Sequence, residues 1–347
     1  MNWNSLLSTL GADTARYFSV PGARVELLST ERRQYSDIAQ VRVRGDAVST
    51  EAFIKVTRPQ GESQSDHQNM AGRVQHEFDE AARVHRAMGG HSRLGVVRPL
   101  ACIPEKFVLI TERAPGRPLD AVLETEATGW PATSTVERLS AVMASVAEWL
   151  RTFHRVRPVS GRFDLDGMRE YLDIRLVRLV ANRRSGFDEA DREAVLAHFD
   201  DRRRDVAGDD LTLVAIHADL APGNVLVHGD KVTVLDFAMA KTGSVFHDLS
   251  RLYSQLGFLT AKPKFRPSVI ARVQQALLSA FQPDLTADRP LFNLLLLQHT
   301  VTHFDTVAAS RRRGVEWLYD VYLRRRHRRW IRHVTARAGH GAGKTPA

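Results

Sequence analysis

At 347 residues the chain is long enough for about two domains around cores that need no disulfide staples, which excludes a small stapled peptide. A hydrophobic share of 43% beside 26% charged residues is that of a folding globule and excludes a disordered chain. The net charge of +9 comes from 49 basic against 40 acidic residues, but residues 311–347 hold 11 of the basic ones and only Glu316 and Asp320 of the acids, so the excess belongs to that segment and not to a groove along the molecule.

The start, MNWNSLLSTLGADTARYF, lacks a basic stretch followed by a long apolar run, so no export signal is expected. The first 30 residues are weakly patterned. ARVELLS (23–29) and IAQVRV (38–43) then read as strands around the polar turn TERRQYSD, with AFIKV (52–56) as a third strand after RGDAVST. Turns this short leave no room for crossover helices, so antiparallel pairing is expected. The polar stretch PQGESQSDHQN separates these strands from a helix in VQHEFDEAARVHRAM (74–88), where Phe78, Ala81, Ala82, Val84 and Met88 supply an apolar face. VVRPLACIPEKFVLITE reads as two further strands around a Pro-Glu-Lys turn. Cys102, in the first of them, is the only cysteine, which excludes an internal disulfide and a cysteine-built metal centre; its apolar neighbours predict an inert, buried thiol in a reducing compartment.

Strands stop near residue 112, where ERAPGRPL forms a Pro-Gly linker. A helix is expected over 135–155, from the capping-box spacing of Ser134 and Glu137 and the recurrence of Val136, Leu139, Met143, Val146, Leu150 and Phe153. Further helices are expected at about 165–181, 188–205, 246–257, 266–281, 289–308 and 314–332, with one strand-rich island between them, NVLVHGDKVTVLDF (224–237). The longest apolar cluster, Leu291 to Leu297, is broken by Asn293 and falls far short of the roughly 20 residues of a membrane span. A cytoplasmic protein is therefore expected.

The island and the residues before it, AIHADLAPGNVLV, carry chemistry. If Asn224 opens one strand and Asp236 closes the next, the hairpin folds back at Gly229 and returns both side chains to one end. Hard oxygen ligands of this kind suit Mg2+, which keeps water and substrate phosphate among its ligands. Asp219, on the preceding loop, is placed to act on a substrate hydroxyl as base or orienting group. Together these make a layout for phosphoryl transfer.

These residues resemble the aminoglycoside phosphotransferase and choline kinase-like small-molecule kinases, which share the bilobal protein-kinase-like fold. The matching elements are AFIKV, the acidic helix around HEFDEAARV, LITERAPGRPL, HADLAPGN (217–224), VLDF (234–237) and FHDLSRL, in that order over about residues 25–255. The resemblance implies an α+β fold with a small antiparallel-sheet N-lobe carrying one main helix, and a larger, mostly helical C-lobe. It implies a nucleotide-binding lobe over 1–112, a hinge over 113–120, a catalytic and acceptor-binding lobe over 121–333 and a disordered tail over 334–347. It further implies that Lys55 contacts nucleotide phosphates and pairs with Glu77 or, one turn away, Glu80. Asp219 becomes the catalytic base, His217 orders its loop, Asn224 and Asp236 hold magnesium, and Asp248 gives structural support from a later helix. Backbone groups from Thr111 to Ala114 would meet adenine. ATP and Mg2+ are the implied cofactors, and a small-molecule or glycan hydroxyl the implied acceptor.

Departures from the family pattern are equally specific. Ala218 stands where glycine is common, Ala238 replaces the last glycine of a DFG triplet, and STERRQYSD has no glycine-rich phosphate clamp, leaving Arg32, Arg33 and Ser36 to form one. The acids Asp164, Asp166, Glu170 and Asp173 point to a cationic acceptor such as an aminoglycoside or amino sugar, whereas the basic terminus points to an anionic one. His299 and His303, in HTVTH, lack the glutamate of a zinc-hydrolase motif, and the terminal AGHGAGKT has Ala338 where a phosphate-binding loop needs glycine; both are read as non-functional. In VEWLYDVYLRRRHRRWIRH the apolar Val315, Leu318, Val321 and Tyr322 are expected to pack on the helical lobe, with the arginines over solvent or near anionic lipid at 311–333. Beside the kinase reading stand a catalytically weak nucleotide-binding scaffold, favoured by the missing clamp and opposed by Asp219 with both metal-type ligands, and, third, a nucleic-acid or anionic-lipid binder. No nucleic-acid-binding signature accompanies the arginines.

Overall fold

Alternation in the N-terminal strands decides which way each side chain faces, and a computed structural model describing residues 2–33, 35–58 and 64–338 shows the result. The chain divides into two units: Met1–Thr125, Arg151–Val156 and His217–Lys241 form the first, and Glu126–Leu150, Arg157–Ile216 and Thr242–Ala347 the second. The first unit opens with two short helices, α1 (Trp3–Gly11) and α2 (Thr14–Phe18), followed by β1 (Arg24–Arg32), β2 (Ser36–Arg44) and β3 (Ser49–Thr57). The sequence reading missed both helices. They form because Asn2 and Asp13 accept the backbone N–H groups of Ser5 and Arg16 as N-caps, and because Leu6, Leu10 and Phe18 bury against the sheet. On β2 and β3, Ala39, Val41, Val43, Ala52, Ile54 and Val56 face that same core, which turns Lys55 to the other side.

The helix expected at 74–88 begins earlier, as α3 (Gln64–Met88). It is followed by β4 (Leu94–Val96), β5 (Pro99–Ile103), β6 (Val108–Glu112), the two-residue β7 (Arg117–Pro118) and α4 (Leu119–Glu126), so the stretch read as linker holds a short strand and a helix start. Five strands form an antiparallel sheet in the order β1-β2-β3-β6-β5, with Lys55 opposite Ile38 on one side and Leu109 on the other. Gly116 permits β7 to lie on its neighbour: its φ is +119°, and a Cβ there would stand 2.8 Å from the Val227 carbonyl oxygen.

The second unit contains most of α5 (Thr133–Phe153), then α6 (Leu165–Ala181), α7 (Glu189–Arg202) and β8 (Leu213–Ile216). The chain returns to the first unit for a hairpin, β9 (Val225–His228) and β10 (Lys231–Val234), inside a four-stranded sheet ordered β4-β10-β9-β7. A short β11 (Lys241–Ser244) pairs with β8, and four helices follow: α8 (His247–Leu259), α9 (Pro267–Phe281), α10 (Pro290–Ala309) and α11 (Val315–Ala338). α10 is apolar nearly all round, with Leu291, Phe292, Leu294, Leu295, Leu297 and Phe304 buried, because it packs against α6, α7, α8 and α11. No described helix is long and apolar enough to cross a membrane.

α11 corrects two expectations. It continues to Ala338, into the stretch read as a disordered tail; the rest of that stretch, with GHGAGKT, lies outside the described residues, as do residues 59–63 of the polar stretch before α3. Its buried side is formed by Asp320, Leu323, Arg324, His327 and Ile331, so of the four residues expected to pack Val321 is half-buried, while Val315, Leu318 and Tyr322 are exposed. Four arginines hold the helix down or brace its entry: Arg332 grips Asp191 with two hydrogen bonds, Arg328 bonds the Gly186 carbonyl, Arg326 bonds Thr260, and Arg312 pairs with the buried Asp320. Leu323 and Ile331 supply the apolar part of the buried side, and the arginine pairs fix which side that is.

Candidate active site

β3 delivers Lys55 to the face opposite the core, and α3 delivers Glu77 to meet it. The Lys55 Nζ lies 2.9 and 3.1 Å from the two carboxylate oxygens of Glu77 and 3.0 Å from Oδ1 of Asp236. Of the two glutamates left open by spacing, Glu77 is therefore the one at the lysine; Glu80 pairs with Arg83 on its own helix. Burial works to lower the Lys55 pKa, but the carboxylates of Glu77 and Asp236 outweigh it and leave it raised. Burial pushes Glu77 up to about 7 against the pull of Lys55. The same burial acts on Asp236, where the lysine charge prevails and its pKa is lowered. One ammonium thus holds two carboxylates of different acidity.

The loop before the hairpin is fixed by its own backbone. His217 is fully buried; its Nδ1 accepts the Asp219 N–H at 3.3 Å, so Nε2 carries the proton that bonds the Leu235 carbonyl at 2.8 Å. Its ring also lies against Phe237, 4.9 Å between centroids, and Phe237 packs edge-on against Phe153. Ala218 has φ +61°, the left-handed conformation that glycine takes without strain. A single 3-10 turn, Pro222–Asn224, then aims the Asn224 side chain back, and its Nδ2 donates to the Asp219 carbonyl at 3.0 Å. The Leu235 N–H bonds the Asn224 carbonyl at 2.9 Å, which brings Asn224 and Asp236 to the same end of the hairpin.

This donor set fits a magnesium ion. The Asn224 amide nitrogen is committed to Asp219, which leaves Oδ1 as its donor oxygen, and Asp236 has a second carboxylate oxygen besides the one at Lys55. Among the described residues no group of three or more His, Cys, Asp or Glu could hold a metal ion by itself. Two hard oxygens completed by water and phosphate oxygens are an ordinary magnesium set.

Other expected site residues are less directly tied to this cluster. Thr111 is on β6 opposite Phe53, two positions from the Leu109 that faces Lys55, and Ala114 is in the loop after that strand. Asp248 is the second residue of α8, fully buried in the second unit, 3.5 Å from the His247 ring. Of the clamp candidates, Arg33 folds back onto Glu31 with two hydrogen bonds and Ser36 is buried, while Arg32 is exposed. The acidic stretch is largely occupied: Asp164 caps α6, Asp166 pairs with Arg203, and Asp173 is gripped twice by Arg192. His299 bonds Ser250 and His303 bonds His327, with burial pushing these histidines down to about 3 and about 4, so the HTVTH pair has separate structural partners. Cys102 is half-buried, and burial raises its thiol to about 12, which keeps it inert.

One residue at the site escaped the sequence reading. His76, beside Glu77 on α3, bonds the Ala240 carbonyl at 2.7 Å through Nε2, so the same helical turn holds Asp236 through Glu77 and Lys55 and the end of its segment through His76. Its neighbour Glu77 was the only signal available.

A family model described as the phosphotransferase enzyme family matches residues 41–291. Among solved structures, the chain is similar to a choline kinase from Cryptosporidium parvum Iowa II, with 12% identity over 97% of each chain and a TM-score of 0.55. It is also similar to the amicoumacin kinase hAmiN, solved with AMP-PNP, Ca2+ and Ami, with 14% identity over 96% of this chain and 94% of that one and a TM-score of 0.57. A choline/ethanolamine kinase family protein from Mesorhizobium loti gives 16% identity, 98% and 100% coverage and a TM-score of 0.56. At these identities the likeness establishes the α+β kinase-like fold. No curated protein matches the sequence.

Proposed function

The chain belongs to the phosphotransferase enzyme family, and from that premise we propose that it moves the γ-phosphoryl group of ATP to a hydroxyl of a small molecule. The acceptor oxygen forms a bond to the γ-phosphorus as the bond from that phosphorus to the β,γ-bridging oxygen breaks, ADP leaves, and the hydroxyl proton passes to Asp219. Lys55, held by Glu77, sets its charge against the nucleotide phosphates. Asn224 and Asp236 would hold the magnesium ion, which when bound supplies positive charge to the phosphate oxygens. His217 keeps the Asp219 backbone in register with the hairpin, and backbone groups from Thr111 to Ala114 meet the adenine. Asp248 supports the fold of its helix.

The observation that carries this reading is the single-ammonium link between β3, α3 and the hairpin end: Lys55 bonds Glu77 and Asp236 at once. For the acceptor, the neutralised acids at 164–173 favour a sugar or amino alcohol with few positive charges over an aminoglycoside with several ammonium groups. Calorimetric titration with ATP, with and without Mg2+, tests the nucleotide site. Tight binding should require the ion, and Asp236→Ala should lose that dependence while retaining the fold; equal Mg2+ dependence in the variant overturns the assignment.

A further inference from the structure

The exposed side of α11 is ordered along its length. Leu318, Tyr322, Arg325 and Arg329 recur at four, three and four residues, so they share one stripe of the helix, and all four are exposed. Val315 precedes them one turn earlier at 82% exposure, with Leu318 at 59% and Tyr322 at 48%. The loop entering the helix adds the exposed Arg311 and Arg313. An apolar patch is thus bracketed by cations at both ends. The nine arginines from 311 to 332 divide in two: Arg312, Arg326, Arg328 and Arg332 are engaged with the second unit and Arg324 is buried, while Arg311, Arg313, Arg325 and Arg329 are turned outward. The only acids between 311 and 333 are Asp320, which is buried, and Glu316.

We infer that this face of α11 docks on an anionic lipid surface, with Val315, Leu318 and Tyr322 entering the boundary between headgroups and acyl chains and the four outward arginines meeting lipid phosphates. Charge complementarity selects the occupant. A bare apolar stripe would suit a second copy of the chain, but two copies would bring eight arginines together, whereas a phosphate-bearing bilayer neutralises them. A nucleic acid would satisfy the arginines and leave Val315 and Leu318 without a use. The helix lies along the bilayer, since it is too polar to cross it. The inference is independent of which acceptor the enzyme uses, and it places the enzyme beside membrane-borne or membrane-adjacent substrates.

The test is sedimentation of the full chain with vesicles of phosphatidylcholine alone and of phosphatidylcholine mixed with phosphatidylglycerol. The chain should pellet with the mixed vesicles, not with the neutral ones, and less as salt rises. Arg325→Ala with Arg329→Ala should weaken binding about fivefold per arginine, and Leu318→Asp with Tyr322→Asp should abolish it, both with melting temperatures unchanged because the positions are exposed. Failure to pellet with the anionic vesicles overturns the inference, as does equal pelleting of the Leu318→Asp, Tyr322→Asp variant. A dimer seen by light scattering and lost in that variant, without vesicle binding, assigns the face to a second copy. Salt-sensitive binding to duplex RNA without vesicle binding assigns it to nucleic acid.

Discussion

The Nζ of Lys55 lies 2.9 Å from Oε1 of Glu77, a strand residue and a helix residue 22 positions apart. The glutamate is almost fully buried, so its ionisation is paid for by the lysine alone. Burial raises its pKa from 4.5 to about 7, so the native chain keeps a proton there that the unfolded chain has released. This group's contribution to stability is therefore fully present below about 4.5 and is lost as pH rises through about 7. Glu77→Gln keeps the shape and removes the titration, so the variant should gain in melting temperature relative to the unaltered chain across that window. Parallel melting curves against pH would contradict this.

His76 is expected to act by position. It bonds the Ala240 carbonyl at 2.7 Å and so holds the segment that follows Asp236. His76→Ala should lower kcat by about fivefold to tenfold, the worth of one net hydrogen bond, while the ATP dissociation constant changes little. His76→Gln, which keeps a donor, should recover part of kcat. A loss confined to melting temperature would make the bond merely structural.

Ala218 holds φ +61° on the loop that carries Asp219. An L-residue with a Cβ costs about 1–2 kcal/mol there, and glycine gives back about 0.5–1 kcal/mol in unfolded-chain entropy. Ala218→Gly should therefore raise stability by up to about 1.5 kcal/mol and leave phosphotransfer intact. A clear fall in melting temperature would mean that the methyl group makes packing contacts worth more than the strain.

Arg332 grips Asp191 at 2.6 and 2.7 Å, tying α11 to the first turn of α7. Burial works to raise the Asp191 pKa, but the arginine outweighs it and holds it below 3.8, so the contribution is present at neutral pH and is lost as pH falls through the lowered value. Arg332 is half-exposed, which screens the pair and limits Arg332→Ala to a cost of about 1 kcal/mol. Denaturant midpoints at neutral and acid pH measure this; an unchanged midpoint at neutral pH contradicts it.

Much of this was legible in the sequence because the signals were local. Period-two alternation marked β2 and β3, and helical recurrence marked α5, α6 and α10 to within a few residues. The hairpin was legible because Gly229 sits between two short apolar runs and returns Asn224 toward Asp236. The choice of Glu77 over Glu80 was not, since both lie on one helix and only the packing of α3 against the sheet separates them. α1 and α2 were missed because their apolar residues are few and their caps, Asn2 and Asp13, are short-range signals without a strong periodic run behind them. α11 misled for a different reason: its apolar residues are spaced for a helix, but long-range partners such as Asp191 decide which side is buried. The acidic stretch likewise reads as an open wall until Arg192 and Arg203 are found on its carboxylates.

In the proposed reaction Asp219 acts on an acceptor hydroxyl while Lys55, Asn224 and Asp236 handle the nucleotide. The most direct measurement is acceptor-dependent ADP release from Mg2+-ATP, with sugars, amino alcohols, nucleosides and aminoglycosides offered in turn to the unaltered chain and to Asp219→Asn. At least one acceptor, a sugar or amino alcohol, should stimulate ADP release and be recovered phosphorylated. Asp219→Asn should lower kcat by about 10²- to 10⁴-fold with ATP binding retained. Phosphorylation that proceeds equally in Asp219→Asn, or ATP binding with no acceptor-dependent turnover across all four classes, would contradict the account.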